Sequence, residues 1–357
     1  MAYGEILSDK ITTSDGVSSA GLYGMKNRII NGNMVIDQRN AGASGTASAF
    51  TVDRWNYFCS QASKGTWQQN AASVTPPVGF TNYLGFTSSS AYSVLTADTF
   101  RFQQTIEGLN ISDLAWGTAS AAPITISFWV RSSLTGTFGG SLLNSASTRS
   151  YPFTYTILAA NTWEQKSITI AGDTSGTWLT TNGVGIYVIF SLGAGATNSG
   201  TAGAWTGSAI LQPTGSTSVV GTSGATFYIT GVQLEKGSTA TSFDYRPYGT
   251  ELQLCQRYLP VLGTSSWSPA YSINTVNGYC AIPFAVTPRV APTGITTTVA
   301  GNLYNGAGGS VALTNLTFNS SGVSGALLIA TVASGLTAGQ GSVLNNNNPV
   351  FFTGCEL

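Results

Sequence analysis

The sequence of 357 residues contains no histidine. That removes Ser-His-Asp and Cys-His nucleophile pairs, and imidazole as a general base or metal ligand. Cys59, Cys255, Cys280 and Cys355 lie far apart and form no zinc-type ligand pair. No phosphate-cradling glycine loop or dinucleotide fingerprint is present. The acid–base inventory is therefore carboxylates: Asp37, Asp53, Asp98, Glu107, Asp113, Glu164 and Asp173. A glycosidase needs two of them about 5–9.5 Å apart across the scissile bond, and nothing in their spacing pairs them. The expectation is a protein with no catalytic residues, no metal and no cofactor. What remains is aromatic chemistry, since an aromatic plane can carry the apolar face of a sugar while nearby amides bond its hydroxyls. Trp129, Trp205, Trp267, Tyr271 and Tyr304 are the candidate ligand-binding residues. Trp129 reads either as a platform or as a second buried layer. Trp205 and Trp267, in Gly-rich and Ser-rich loops, read as platforms or as loop anchors. The run from Asn345 to Asn348 adds neutral amides.

These residues need a scaffold, and the composition bounds it. Lys plus Arg and Asp plus Glu each number 14, so net charge is zero, and only 8% of residues are charged. The usual share is about 25%. Such a chain carries no electrostatic footprint for nucleic acid or an acidic membrane. Apolar residues at 42% and aromatics at 11% favour a folded all-β protein over disorder. The opening MAYGEILSDK lacks the basic and apolar regions of a signal peptide, and no apolar run approaches membrane-spanning length. Thiols in a chain that stays in a cytosol are expected to be reduced. The alternative is a Cys280–Cys355 bridge joining the first and last strands of a C-terminal domain.

The length prior is two or three domains. Residues 27–248 read as one jelly-roll-like β-sandwich. Residues 124–131 alternate, with Ile124, Ile126, Phe128 and Val130 on one face and Thr125, Ser127, Trp129 and Arg131 on the other. Residues 163–170 form another strand. Residues 184–192 are apolar on both faces, which calls for cover from the opposing sheet and from another subunit or a loop. Residues 193–224 are a long glycine-, serine- and threonine-rich loop around Trp205. Residues 226–234 are the closing strand, with Gly231 as a bulge. Residues 249–260 form a short helical neck with Thr250 as its cap and Pro260 as its stop. Residues 261–357 form a second, β-rich head domain, with strand signals at 279–286, 311–318, 326–332 and 350–353. Residues 1–26 form a polar arm around Ile6, Leu7 and Ile11. The arm either lies on its own sandwich, docks into a neighbouring protein or pairs around a trimer axis.

Three regions carry a resemblance: a closing one in three pieces, an opening one, and residues 100–132 between them. Residues 227–235 (FYITGVQLE), 243–246 (FDYR) and 251–258 (ELQLCQRY) resemble the closing module of tailed-phage structural proteins of the tail-fibre and receptor-binding family. Residues 27–40 (NRIINGNMVIDQRN) are similar to that family's opening module. The resemblance implies a non-enzymatic, homotrimeric virion protein made in the host cytoplasm. The arm, through Ile6, Leu7 and Ile11, would anchor it to other virion proteins of tail or capsid. Its task would be adhesion to host surface polysaccharide, with recognition in the 261–357 head. A capsid head fibre or decoration protein, and a polysaccharide-degrading appendage, are the alternatives. The sandwich ends also resemble carbohydrate-binding jelly rolls, where Asn31-Gly32 leads to Asp53-Arg54-Trp55. Thr230-Gly231 stands where those folds carry an acidic, calcium-holding pair, so no calcium site is expected.

Overall fold

The computed structural model describes residues 25–305 and 309–357. The anchor residues Ile6, Leu7 and Ile11 lie outside them. The chain forms two compact units that divide between Arg246 and Pro247. The first contains thirteen strands: β1 Ala49–Phe50, β2 Trp55–Cys59, β3 Gly65–Gln69, β4 Leu84–Ser88, β5 Thr99–Glu107, β6 Ile124–Ser132, β7 Gly136–Asn144, β8 Ser150–Ile157, β9 Glu164–Ile170, β10 Val184–Ala194, β11 Ser199–Gly200, β12 Gln212–Pro213 and β13 Thr226–Lys236. One sheet has the order β1-β2-β5-β10-β7-β8 and the other β3-β4-β13-β6-β9. The chain keeps switching sheets, as a jelly roll does, and the shared core is aromatic. Trp55, Tyr57, Phe86, Phe102, Phe128, Phe190 and Phe227 all lie in it.

Local sequence accounts for the best-defined strands. On β6, Ile124, Ile126, Phe128 and Val130 are fully buried in the core, as the alternation requires, and Trp129 is only half-buried on the opposite face. On β10, Ile186, Val188 and Phe190 enter the core between the sheets. Ile189, on its other face, packs against Leu143 and Leu211. Leu211 belongs to the glycine-rich stretch, so the second cover of this doubly apolar strand is the chain's own loop. The strand therefore supplies no reason for a subunit contact at Ile189.

The opening and closing segments form one latch. At Gly231 the pairing of β13 with β6 slips between Thr230 and Gln233, and Gly231 has φ of 61°. This is the left-handed region that glycine occupies without strain. The bulge frees Val232 and Leu234 to bond the opening segment. Val232 N donates to Gly32 O at 2.9 Å and Arg28 N to Leu234 O at 2.9 Å. Asn27 Nδ2 donates to Val232 O at 3.1 Å, while its Oδ1 accepts from Leu234 N and Ile29 N. The Arg246 guanidinium donates to Ile29 O and Asn27 O. A Cβ on Gly32 would sit 2.1 Å from Val232 O, so only glycine fits there. Residues 27–32 of the opening motif, and Val232, Leu234 and Arg246 of the closing one, thus serve closure of the sandwich.

The second unit begins with a helix, α1 Tyr248–Gln256, followed by β14 Val261–Leu262, β15 Ser266–Ser272, β16 Asn277–Pro283, β17 Gly294–Thr296, β18 Gly301–Asn305, β19 Ser310–Ser321, β20 Gly325–Val332, β21 Gly341–Asn346 and β22 Val350–Thr353. Thr250 lies inside α1 and does not cap it; the N-cap position is Pro247, and no side chain bonds the first turn. Pro247 cannot continue a helix on its N-terminal side, and this sets the start. Strands β15-β16-β20-β19-β18-β21 close a barrel, and β14-β22-β17 form a small sheet. Closure removes the exposed edges of the barrel strands. Its core holds Cys280, Ile282, Leu303, Leu316, Leu328, Ala330 and Leu344. All four cysteines are free thiols. Cys280 Sγ faces Gly278 O and Cys355 Sγ faces Val290 O. Burial pushes the Cys280 thiol up to about 12 and the Cys355 thiol up to about 11, so both stay protonated at neutral pH.

Candidate functional site

Most of the carboxylates named above hold local structure. Asp37 accepts from the backbone N–H of Asn40 and Gly42. Asp53 accepts from Gln38 N at 2.9 Å and Gln38 Nε2 at 2.5 Å. Burial raises both, Asp53 to about 6. Their four oxygens close the turns of the opening segment. Asp98 takes Ser60, Tyr92 and the Leu95 N–H. Asp113 makes two 2.8 Å bonds to Arg28. Glu164 takes Lys166 with the Leu158 and Ala159 N–H groups. Burial alone would raise Asp98, Asp113 and Glu164, but these donors outweigh it and hold all three below the usual range. Asp173 pairs with Arg149 at 2.6 Å. Glu107 is fully buried. Among the described residues, no group of three or more Cys, Asp or Glu could hold a metal ion.

The aromatic candidates separate. Trp205 is a loop anchor. It forms an edge-to-face cluster with Trp116 at 5.3 Å, Trp178 at 5.4 Å and Tyr151 at 5.2 Å, and its Nε1 donates to Ala171 O. This packing fastens the glycine-rich stretch to the sandwich, as the loop-anchor reading of the two describes. Trp129 packs at the β13 bulge, where a Cβ on Gly231 would meet Phe80 at 2.6 Å and Trp129 at 3.1 Å. It packs as the second-layer residue of the two readings and stays only partly exposed.

Trp267, Tyr271 and Tyr304 come together, but on strands rather than loops. Ser266–Ser272 alternates, with Ser268 and Ser272 turned into the barrel and Trp267, Pro269 and Tyr271 turned out. Trp267 is 60% exposed and Tyr271 51%. Across β21, Tyr304 of β18 meets Trp267 with ring centroids 5.0 Å apart at 43°. Tyr279 of β16 is the register partner of Tyr271 and is also exposed. The sequence reading missed Tyr279. Its signal was present in NGYCAI, where Gly278, Cys280 and Ile282 point inward and Tyr279 must point out. Val343 of β21 lies between Pro269 and Tyr304 on the same face. Asn345 is the register partner of Trp267 on one side and of Asn302 on the other, so the three form one row across β15, β21 and β18. None of β15, β16, β18 or β21 contains a charged residue. The result is an open, uncharged aromatic surface with amides at one end. It can stack apolar ring faces and bond hydroxyls.

No protein-family model and no curated protein matches the sequence. Among solved structures, the chain is similar to the enzymatically active domain of tailspike protein 4 of bacteriophage CBA120, at 12% identity and TM-score 0.31. That match covers 59% of this chain and 21% of the tailspike chain, so only a small part of the tailspike is represented. It is also similar to a xylan-binding domain of Paenibacillus barcinonensis, at 9% identity and TM-score 0.27, covering 57% of this chain and 99% of that one. A family 11 carbohydrate-binding module of a Clostridium thermocellum cellulase matches at 10% identity and TM-score 0.27, covering 56% and 96%.

Proposed function

We propose that the chain is a non-enzymatic virion protein of a tailed phage that binds a neutral host surface glycan through the outer face of its second unit. The observation that carries this reading is the charge-free surface of Trp267, Tyr271, Tyr279 and Tyr304 on four adjoining barrel strands. Large exposed aromatics that no core residue covers mark interaction sites, and one without charge suits hydroxyl-rich, uncharged ligands. The phage assignment rests on the tail-fibre-like modules at 27–40, 227–235, 243–246 and 251–258. The non-enzymatic assignment is supported by the turn-closing and ion-paired roles of the carboxylates. Attachment is assigned to residues 1–26. A homotrimer would raise the strength of weak sites by roughly 10²–10⁴ through multivalency alone. The test is to mix the purified full chain with polysaccharide extracted from the host surface. The expected result is retention of the polysaccharide with no release of reducing ends. Release of reducing ends would replace this reading with a degrading appendage.

A further inference from the structure

We infer that Asn345, with Asn302 beside it, is the hydroxyl-reading residue of a neutral-hexose subsite walled by Trp267 and Tyr304. This rests on the glycan reading above and specifies which part of the ligand decides selectivity. Asn345 is 8% exposed, yet strand parity turns its side chain to the outer face, because Leu344 and Asn346 on either side point inward. It is the register partner of both Trp267 and Asn302. Its neighbour Asn346 spends its amide on Gly263 O and Asn348 O. The Asn345 and Asn302 side chains bond no described residue.

Neither amide atom of Asn345 is among the buried side-chain atoms that lack a partner, so the amide keeps an opening to solvent. Here a partner can arrive only from the outer side, where the Trp267–Tyr304 pair forms the adjoining wall. A carboxamide offers two N–H donors and a carbonyl acceptor. That set matches two neighbouring hydroxyls, each able to give and take one bond. The stereochemistry of those hydroxyls decides whether both bonds form. No Lys or Arg on these strands is present to pair with an acidic sugar, so the hexose is neutral.

The experiment uses the full chain on an array of neutral β-1,4-linked oligosaccharides of gluco, galacto and manno configuration, with polygalacturonate as the charged control. Wild type is expected to rank the three neutral series. Asn345→Ala is expected to lose about tenfold for the preferred series, the worth of one hydrogen bond at the upper end of the usual range. It should bind the other two as before, which flattens the ranking. Asn302→Ala, at a more exposed position, gives the same pattern more weakly and guards against a folding defect in the first variant. Trp267→Ala lowers binding of all three together. An unchanged ranking in both asparagine variants, with Trp267→Ala still defective, overturns the hydroxyl-reading role and leaves the platform standing. Wild-type binding by Trp267→Ala, or a wild type that binds none of the neutral series, overturns platform and subsite together. Preference for polygalacturonate overturns the neutral ligand class. An oligomer that dissociates on Trp267→Ala, measured by light scattering, reassigns the face to subunit contact and overturns the subsite.

Discussion

Single residues carry two kinds of information in this chain, and titration separates them. Asp53 is buried and its carboxyl is raised to about 6 from an ordinary 3.8. A carboxyl raised on folding binds its proton more tightly in the native state. Stability from this group is therefore greatest below the unfolded value and falls as pH rises toward 6. Asp37 is raised in the same direction. Asp98, Asp113 and Glu164 are depressed, so their contribution is lost only at lower pH, below the ordinary carboxylate range. Between pH 5 and 7 the Asp53 effect should dominate. Thermal melts should show wild type losing stability across that interval, and Asp53→Asn losing clearly less. Asn keeps an acceptor for Gln38 N, and the Gln38 amide can turn to meet the new N–H donors. An equal slope in the two proteins would contradict the assignment. Glycine gives a second residue-level test. Gly32→Ala would drive a methyl into Val232 O, whereas a Cβ on Gly42 meets nothing within 4 Å. Gly42 has φ of 81°, so Gly42→Ala should cost about 1–2 kcal/mol in strain. Gly32→Ala should cost more than that, read as the larger drop in melting temperature.

At the scale of elements, parity was legible and partnership was not. The alternation of residues 124–131 announced both the core face and the position of Trp129, because one side chain per 180° is a local property. The bulge at Gly231 was readable for the same reason. What covers an apolar outer face depends on chain brought from elsewhere. Leu211 over Ile189 and the Trp116–Trp178–Trp205 cluster could not be deduced from spacing. The serines around Trp267 read as a loop, because serine favours turns. In the barrel they are the small inward positions that leave the aromatics outside. Ile189→Lys should consequently fail to fold or melt far lower, since it buries a charge under the protein's own loop; a stable variant that only loses oligomeric mass would contradict the packing. The latch makes a companion prediction. Asn27→Ala leaves Val232 O and Leu234 N with one bond fewer in a buried place, at about 1–3 kcal/mol for each group stranded. The melting temperature should fall by several degrees with no change in glycan binding.

The whole molecule is organised as a sandwich closed by its motif segments and a barrel that presents aromatic side chains. The matched segments at 27–40 and 227–235 mostly serve the fold, which is why the motifs speak to the architecture and not to the proposed binding surface. Few charges take part in the proposed binding surface, so salt has little to screen. The most direct test is adsorption of the purified chain to bacterial cells whose surface polysaccharide it retains in the binding test above. It compares wild type with Trp267→Ala at about 0.05 and 0.5 M salt, which spans Debye lengths of roughly 14 to 4 Å. The account predicts that wild type adsorbs almost equally at both salts, and that Trp267→Ala, with an unchanged melting temperature, adsorbs at least tenfold less at both. Adsorption that survives Trp267→Ala, or that collapses at the higher salt, would contradict it.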